Sequence, residues 1–192
     1  MPYAGYYYGS INAGGFIENQ EIRQGTVRLN IDYFTQLLRT GQMRFRVFVK
    51  SGYTVGYNRF SDEFITIKNT NGVRGLKSDS LIGTEKITLN LETVAFTPVY
   101  FYGFRLSAFA GADFGLVTGN QSNLLRQKVY SSYSIGFRLK NERLVFPTIQ
   151  FRFAYYPAIP PGAIVEPAKI TGETRLKLQD FYIKMPEIEQ YK

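Results

Sequence analysis

Cysteine and histidine are both absent from the 192 residues of this chain. Without cysteine there is no disulfide framework and no thiolate metal site. Without histidine the commonest general base and the commonest metal ligand are missing. A hydrolase built on serine and histidine is therefore impossible, and no Gly-x-Ser-x-Gly elbow occurs. Ser132-Tyr133-Ser134-Ile135-Gly136 is a superficial near miss. Asp79, Glu85 and Glu92 read better as loop or interior charges than as a catalytic pair. The expectation is a non-enzyme with no cofactor and no metal.

Long apolar runs are lacking too. A spanning helix needs roughly 18 uninterrupted apolar residues, and the most apolar stretch, Thr93 to Phe104, is short and broken by Pro98. If this chain enters a membrane, it must do so as a closed barrel. The opening Met1-Pro2-Tyr3-Ala4 has neither the basic region nor the apolar core of a signal peptide; a soluble cytoplasmic protein would lack these as well. Tryptophan is missing, yet 15 Tyr and 16 Phe bring the aromatic share to 16%, a load suited to a surface meeting lipid headgroups. The mean hydropathy of −0.18 decides nothing, because a barrel carries its apolar residues on alternate positions. The net charge of +8 would suit nucleic acid only if the basic residues were clustered. They are spread along the chain, so no nucleic-acid partner is expected; a basic pore lining or contacts to anionic lipid account for the sign.

What the sequence does contain is alternation with period two, sustained over long segments. From Phe104 to Leu116 the even positions Phe104, Leu106, Ala108, Ala110, Ala112, Phe114 and Leu116 are all apolar. The odd positions include Arg105, Ser107, Gly111, Asp113 and Gly115. Ile87, Leu89 and Leu91 likewise oppose Lys86, Thr88, Asn90 and Glu92. Val27, Leu29 and Ile31 oppose Arg28, Asn30 and Asp32, while Phe45, Val47 and Val49 oppose Arg44, Arg46 and Lys50. Two further runs set Ile135 and Phe137 against Ser134 and Arg138, and Phe151 and Phe153 against Gln150 and Arg152. With Tyr3 to Ile17 at one end and Thr174 to Ile183 at the other, the pattern predicts eight strands.

Strand length separates membrane from water. Soluble strands average about 5–6 residues, and a tilted membrane strand needs about 9–11; most of these runs reach the longer figure. A soluble sandwich or lipocalin-like barrel shows the same alternation and is the competing fold. Connections at 39–41, 98–103 and 140–142 are short. Those at 18–24, 57–82, 118–127 and 157–173 are longer and more polar. Such alternation is expected of periplasmic turns and extracellular loops. The alternation puts Arg28, Arg44, Arg46, Lys50, Arg105, Arg138 and Arg152 on the interior face.

Two short motifs add specificity. The connection 57–82 holds Asn71-Gly72-Val73-Arg74-Gly75-Leu76, and the strand after the next holds Gly111-Ala112-Asp113-Phe114-Gly115. Asp113 lies opposite a wholly apolar face, so its carboxylate points to the interior and not to lipid, where a charge costs several kcal/mol. Gly111 and Gly115 flank it and leave room for an incoming side chain. An Arg74 guanidinium from a loop folded inward would fit there as a bidentate, charge-assisted partner. The competing assignment is a solvated Arg74, with Asp113 satisfied by neighbours such as Arg105.

This pair, in this order and on these elements, resembles the signature of the BamA-type superfamily, also called the bacterial surface antigen family: a Val-Arg-Gly-aromatic loop tip and a Phe/Gly-x-Asp-x-Gly strand. Val73, Arg74, Gly75, Gly111, Asp113 and Gly115 match it. Leu76 departs from it, standing where the family has Phe or Tyr. The resemblance implies an all-β antiparallel transmembrane barrel in the bacterial outer membrane, with these eight strands as the C-terminal half of a sixteen-stranded barrel. Residues 1–184 would be the barrel segment, with loop 57–82 folded inward, and 185–192 a short periplasmic tail. An eight-stranded barrel is filled by its own side chains and could not also hold such a loop. Open sheet edges are not tolerated in lipid, so the chain reads as part of a longer polypeptide, with periplasmic modules preceding it. The implied partners are outer-membrane lipid and unfolded outer-membrane or secreted polypeptide clients, and the implied work is insertion or translocation. A small passive pore or structural barrel, its interior cations favouring anions, is the alternative.

Overall fold

The computed structural model describes residues 5–18, 20–58, 65–67, 72–77, 81–118, 127–141 and 148–173. Thirteen strands follow in chain order: β1 (Gly5–Glu18), β2 (Glu21–Thr35), β3 (Leu38–Thr40), β4 (Met43–Tyr57), β5 (Ile65–Thr66), β6 (Leu76–Lys77), β7 (Ile82–Gly83), β8 (Glu85–Phe101), β9 (Phe104–Thr118), β10 (Tyr130–Asn141), β11 (Thr148–Tyr155), β12 (Ile164–Val165) and β13 (Ala168–Glu173). Eight of them form one antiparallel sheet in the order β1-β2-β4-β8-β9-β10-β11-β13, and β3 folds back onto β4. The short pairs β5–β7 and β6–β12 lie apart from that sheet. Among the described residues the sheet is open: β1 and β13 stand at its two edges and do not pair with each other.

Each sheet neighbour is the next long strand in the chain, a meander that local hairpins produce. Tyr102 and Gly103 join β8 to β9 with φ of 46° and 86°, the two positive angles of a tight turn whose twist matches that of the strands. Pro98, which has no N–H to give, sits where the β8–β9 register shifts between Phe96 and Tyr100. The register then carries one face across the whole sheet. Asp32 pairs Lys50, Lys50 pairs Asn90, Asn90 pairs Asp113, and Asp113 pairs Ser132. In the same way Tyr33, Val49, Leu91, Ala112, Tyr133 and Tyr155 form a row on the other face.

The polar face of the sheet is the covered one, and the apolar face is the exposed one. Thr54, Lys86, Thr88, Asp113, Ser132, Ser134, Gln150 and Arg152 are buried, all on the polar face. On the apolar face Ile11 is 76% exposed, Ile135 64% and Ile170 70%, with Phe153 and Tyr155 also exposed. Isolated exposed apolar residues need no explanation, but a contiguous apolar face does. Buried apolar residues gather on the polar side instead: Ile67, Val73, Leu76, Leu81 and Tyr156 form one cluster.

Several boundaries differ from the expectations above. The stretch 18–24 is no long linker: Glu18 pairs Glu21, and Glu21, Arg23 and Gln24 are strand residues of β2. A register shift opposite Gly15 accommodates Gln24 at a φ of 55°. The stretch 157–173 contains β12 and β13; its prolines and glycine hid the strand that starts at Ala168. The strand expected at Thr174 to Ile183, and the tail at 185–192, lie outside the described residues.

Gly136 shows how tightly the sheet tolerates side chains on its polar face. A Cβ there would sit 2.0 Å from the Phe151 carbonyl oxygen and 2.7 Å from the Phe109 ring. Gly136→Ala should therefore cost about 1–3 kcal/mol through overpacking, read as a lower denaturant midpoint at unchanged slope.

Candidate functional site

Asp113 is fully buried at the middle of β9. Its cross-strand neighbours on either side are Asn90 and Ser132. Asn90 Nδ2 donates to Oδ1 at 2.8 Å and Ser132 Oγ to Oδ2 at 3.1 Å. Two neutral donors cannot offset a buried charge, and the compensation arrives from the connection between β4 and β8. The Arg74 backbone N–H donates to Oδ2 at 3.2 Å, and Arg74 Nε lies 3.0 Å from Oδ1 and 2.9 Å from Oδ2. Arg105, the alternative partner, is eight residues away along β9.

The guanidinium is divided between two carboxylates and does not make the symmetric fork expected for one. While Nε serves Asp113, Nη1 pairs with Glu92 of β8, and Nη2 lies 3.5 Å from the Leu91 carbonyl. Glu92 also receives Arg138 of β10 at 2.8 Å, and Arg138 Nε donates to Gln150 of β11 at 2.7 Å. A charged network thus runs from the loop through four strands. Burial acts to lower the Arg74 pKa, but the hydrogen bonds and negative charges of Asp113 and Glu92 outweigh it and raise the value above normal. Arg74 is permanently a cation here.

The loop tip fits because small residues make space. Gly75 has a φ of 80°, and a Cβ on it would stand 2.1 Å from the Tyr156 hydroxyl oxygen and 2.5 Å from Arg152 Nη2. A Cβ on Gly111 would lie 2.7 Å from Arg74 Nη2, and one on Gly115 3.0 Å from Val73 Cγ2. The Gly72 carbonyl accepts from Asn90 Nδ2 at 2.8 Å. Leu76, the departure from the aromatic pattern, is buried in the apolar cluster beside Val73 and Ile67.

A second fastening joins the loop tip to residues 156–169. β6 pairs β12, with Val165 opposite Leu76. The Glu166 N–H donates to the Gly75 carbonyl at 3.0 Å, and the Tyr156 hydroxyl donates to the Arg74 carbonyl at 2.9 Å. Glu166 bridges Lys77 at 2.7 Å and Lys169 at 2.8 Å. Hydrogen bonds from Lys169 and Lys77 lower its carboxyl pKa to about 2, whereas burial raises that of Tyr156. Sequence reasoning missed this clasp. The only signal was a lone acidic residue, Glu166, within a Pro- and Gly-rich stretch.

The register sets Arg28, Arg44, Arg46, Lys50, Arg105, Arg138 and Arg152 on the face of Asp113. They do not act alike. Arg138 and Arg152 are drawn into the loop anchorage, Lys50 lies 3.8 Å from Asp32, and Arg46 stacks over Phe34 at 5.4 Å. Among the described residues no group of three or more acidic residues could hold a metal.

Arg74→Ala leaves Asp113 uncompensated and should cost about 3–5 kcal/mol. The double change Arg74→Ala/Asp113→Ala should cost less than the sum of the singles, with coupling of about 1 kcal/mol or more in a denaturation cycle; additive costs would sever the pair. Glu166 has a depressed pKa, so its contribution is complete above the ordinary value of 4.5 and lost as pH falls through about 2. The stability gap between the native chain and Glu166→Gln should close across that window, whereas a constant gap would remove Glu166 from the clasp.

Compared with family models, curated proteins and solved structures, the chain matches none of them.

Proposed function

We propose that this chain is the C-terminal half of a sixteen-stranded outer-membrane β-barrel of the BamA-type superfamily, working in the insertion of outer-membrane proteins or the translocation of polypeptides. The observation that carries the reading is the seating of Arg74 on buried Asp113, on the side of the sheet opposite an exposed apolar face. Lipid is the solvent that such an apolar face suits, and a barrel interior is the place for the polar one. Five strands of 14 to 17 residues, β1, β2, β4, β8 and β9, exceed the about 9–11 a tilted span needs. The edges at β1 and β13, unpaired among the described residues, would be closed in lipid by further strands.

On this reading the work is mechanical. No bond is made or broken, and the seated loop braces β8, β9, β10 and β11 against one another while clients engage the barrel. The experiment is depletion of the full-length protein in its native cell, followed by assembly of other outer-membrane barrels as protease-resistant, heat-modifiable species. Depletion should leave those clients unfolded, with rescue by the native protein and not by Arg74→Ala. Normal client assembly, with only the loss of a small, steady, anion-selective conductance, would instead establish a passive pore.

A further inference from the structure

The charges of the loop anchorage do not cancel. Arg74, Arg138 and Arg152 bring three guanidinium groups to it, and Asp113 and Glu92 bring two carboxylates. Arg74 pairs with both carboxylates, and Arg138 shares Glu92. Arg152 is 6% exposed, and no carboxylate of the described residues lies within ion-pairing distance of it. The register sets it directly opposite Gly136 on one side and Lys169 on the other, and the Lys169 ammonium is held by Glu166. Its polar neighbour is the Tyr156 hydroxyl, which stands with Arg152 Nη2 against Gly75. That hydroxyl already gives its proton to the Arg74 carbonyl, and a neutral acceptor does not offset a buried charge.

Ser134 supplies a second, independent observation. It is 3% exposed, and its Oγ is buried without a hydrogen-bond partner. On β10 it lies one step diagonal from Arg152 on the same face, within reach of a long side chain. Ser134 Oγ and Arg74 Nη2 converge over Gly111, 3.1 and 2.7 Å from where its Cβ would stand. Nη2 is met there by the Leu91 carbonyl at 3.5 Å, the outer limit of a hydrogen bond. A buried hydroxyl without a partner, in the same anchorage as an unmatched cation, calls for an acceptor that carries negative charge. We infer that the anchorage binds one compact monovalent anion, a halide or a carboxylate group, on Arg152 and Ser134 beneath the loop tip. A single negative charge closes the balance of three cations against two anions. Phosphate exceeds both the charge and the space, since even a Cβ on Gly75 or Gly111 would collide with a guanidinium group. Bound there, the anion ties β10 and β11 to the loop, so its occupancy and the seating of the loop are linked. The inference stands on these contacts and does not require the membrane assignment.

The test is denaturant unfolding of the purified full-length protein in detergent micelles. Sodium bromide or sodium formate is titrated against the sodium salt of a bulky sulfonate, so that ionic strength and screening stay constant. An anion that binds the folded state raises its stability with the logarithm of concentration, so the native midpoint rises with one or both. A response to bromide alone assigns a halide, and a response to formate alone a carboxylate. Ser134→Ala, which removes one hydrogen bond to a charged group, weakens the apparent affinity by about tenfold or more. Arg152→Met removes the cation while keeping most of the side chain's length, and it abolishes the dependence. Arg23→Gln, on β2, keeps the full response. Crystals soaked in the anion that responds show its density within hydrogen-bonding distance of Arg152 and Ser134 Oγ. A native midpoint that neither anion moves, an equal rise in Arg152→Met, or density for water alone at that position overturns the inference. A stronger response to inorganic phosphate overturns it as well. A protein that shows the anion response but does not support client assembly would fail the barrel-insertion reading and leave this one standing.

Discussion

A single buried carboxylate organises this molecule. Asp113 is fully enclosed at the centre of a sheet face, and an unpaired charge there would cost several kcal/mol even after relaxation. Cross-strand amide and hydroxyl donors from Asn90 and Ser132 satisfy part of its capacity, and only the cation of Arg74 completes it. Because Arg74 arrives on a loop, the charge requirement of one strand fixes the position of a segment 39 residues away in sequence. Glu92 then shares the guanidinium and passes the constraint to Arg138 and Gln150. Buried ion pairs contribute little net stability but are costly to break, so the network specifies where the loop rests more than it strengthens the fold.

The same carboxylate divides the sheet into two environments. On its side, threonine, serine, lysine and arginine are buried, and an apolar cluster forms at the loop tip. On the other side, isoleucine, phenylalanine and tyrosine lie uncovered. Water is a poor solvent for the second face. Among the described residues the edges at β1 and β13 are unpaired as well, and the proposed barrel in lipid would cover both the edges and this face.

The alternating positions made most of the sheet legible from sequence, because period two identifies a face wherever one side is apolar and the other polar. It was legible in β9, where every even residue from Phe104 to Leu116 is apolar. It was weak in β1, rich in glycine and tyrosine, which was nonetheless placed as a strand, and it missed β13, which follows the prolines and glycine of 157–167. The Arg74–Asp113 juxtaposition could be anticipated because a charge in a strand interior needs a partner and two glycines mark the space for it. The clasp through Tyr156 and Glu166 could not, since pairing of two-residue strands depends on where the loop has already been placed. The division of Arg74 between two acids was hidden for a related reason. Glu92 alternates correctly in β8, and nothing in its local sequence distinguishes it from the other polar residues of that face.

The contacts of Tyr156 bear on the order in which the molecule is built. Its hydroxyl reaches the carbonyl of Arg74 across 82 residues of sequence, while the β8–β9 hairpin closes over Tyr102 and Gly103 alone. Local closures are entropically cheap and fast, and long-range ones wait. Asp113 acquires its full donor set only once β8 and β10 flank β9, and Gly75 meets Tyr156 only once β11 is in place. The loop can complete its contacts only once those strands are paired, and Asp113 gains its cation at that step. Its arrival serves as a checkpoint on the completeness of the strands beneath it.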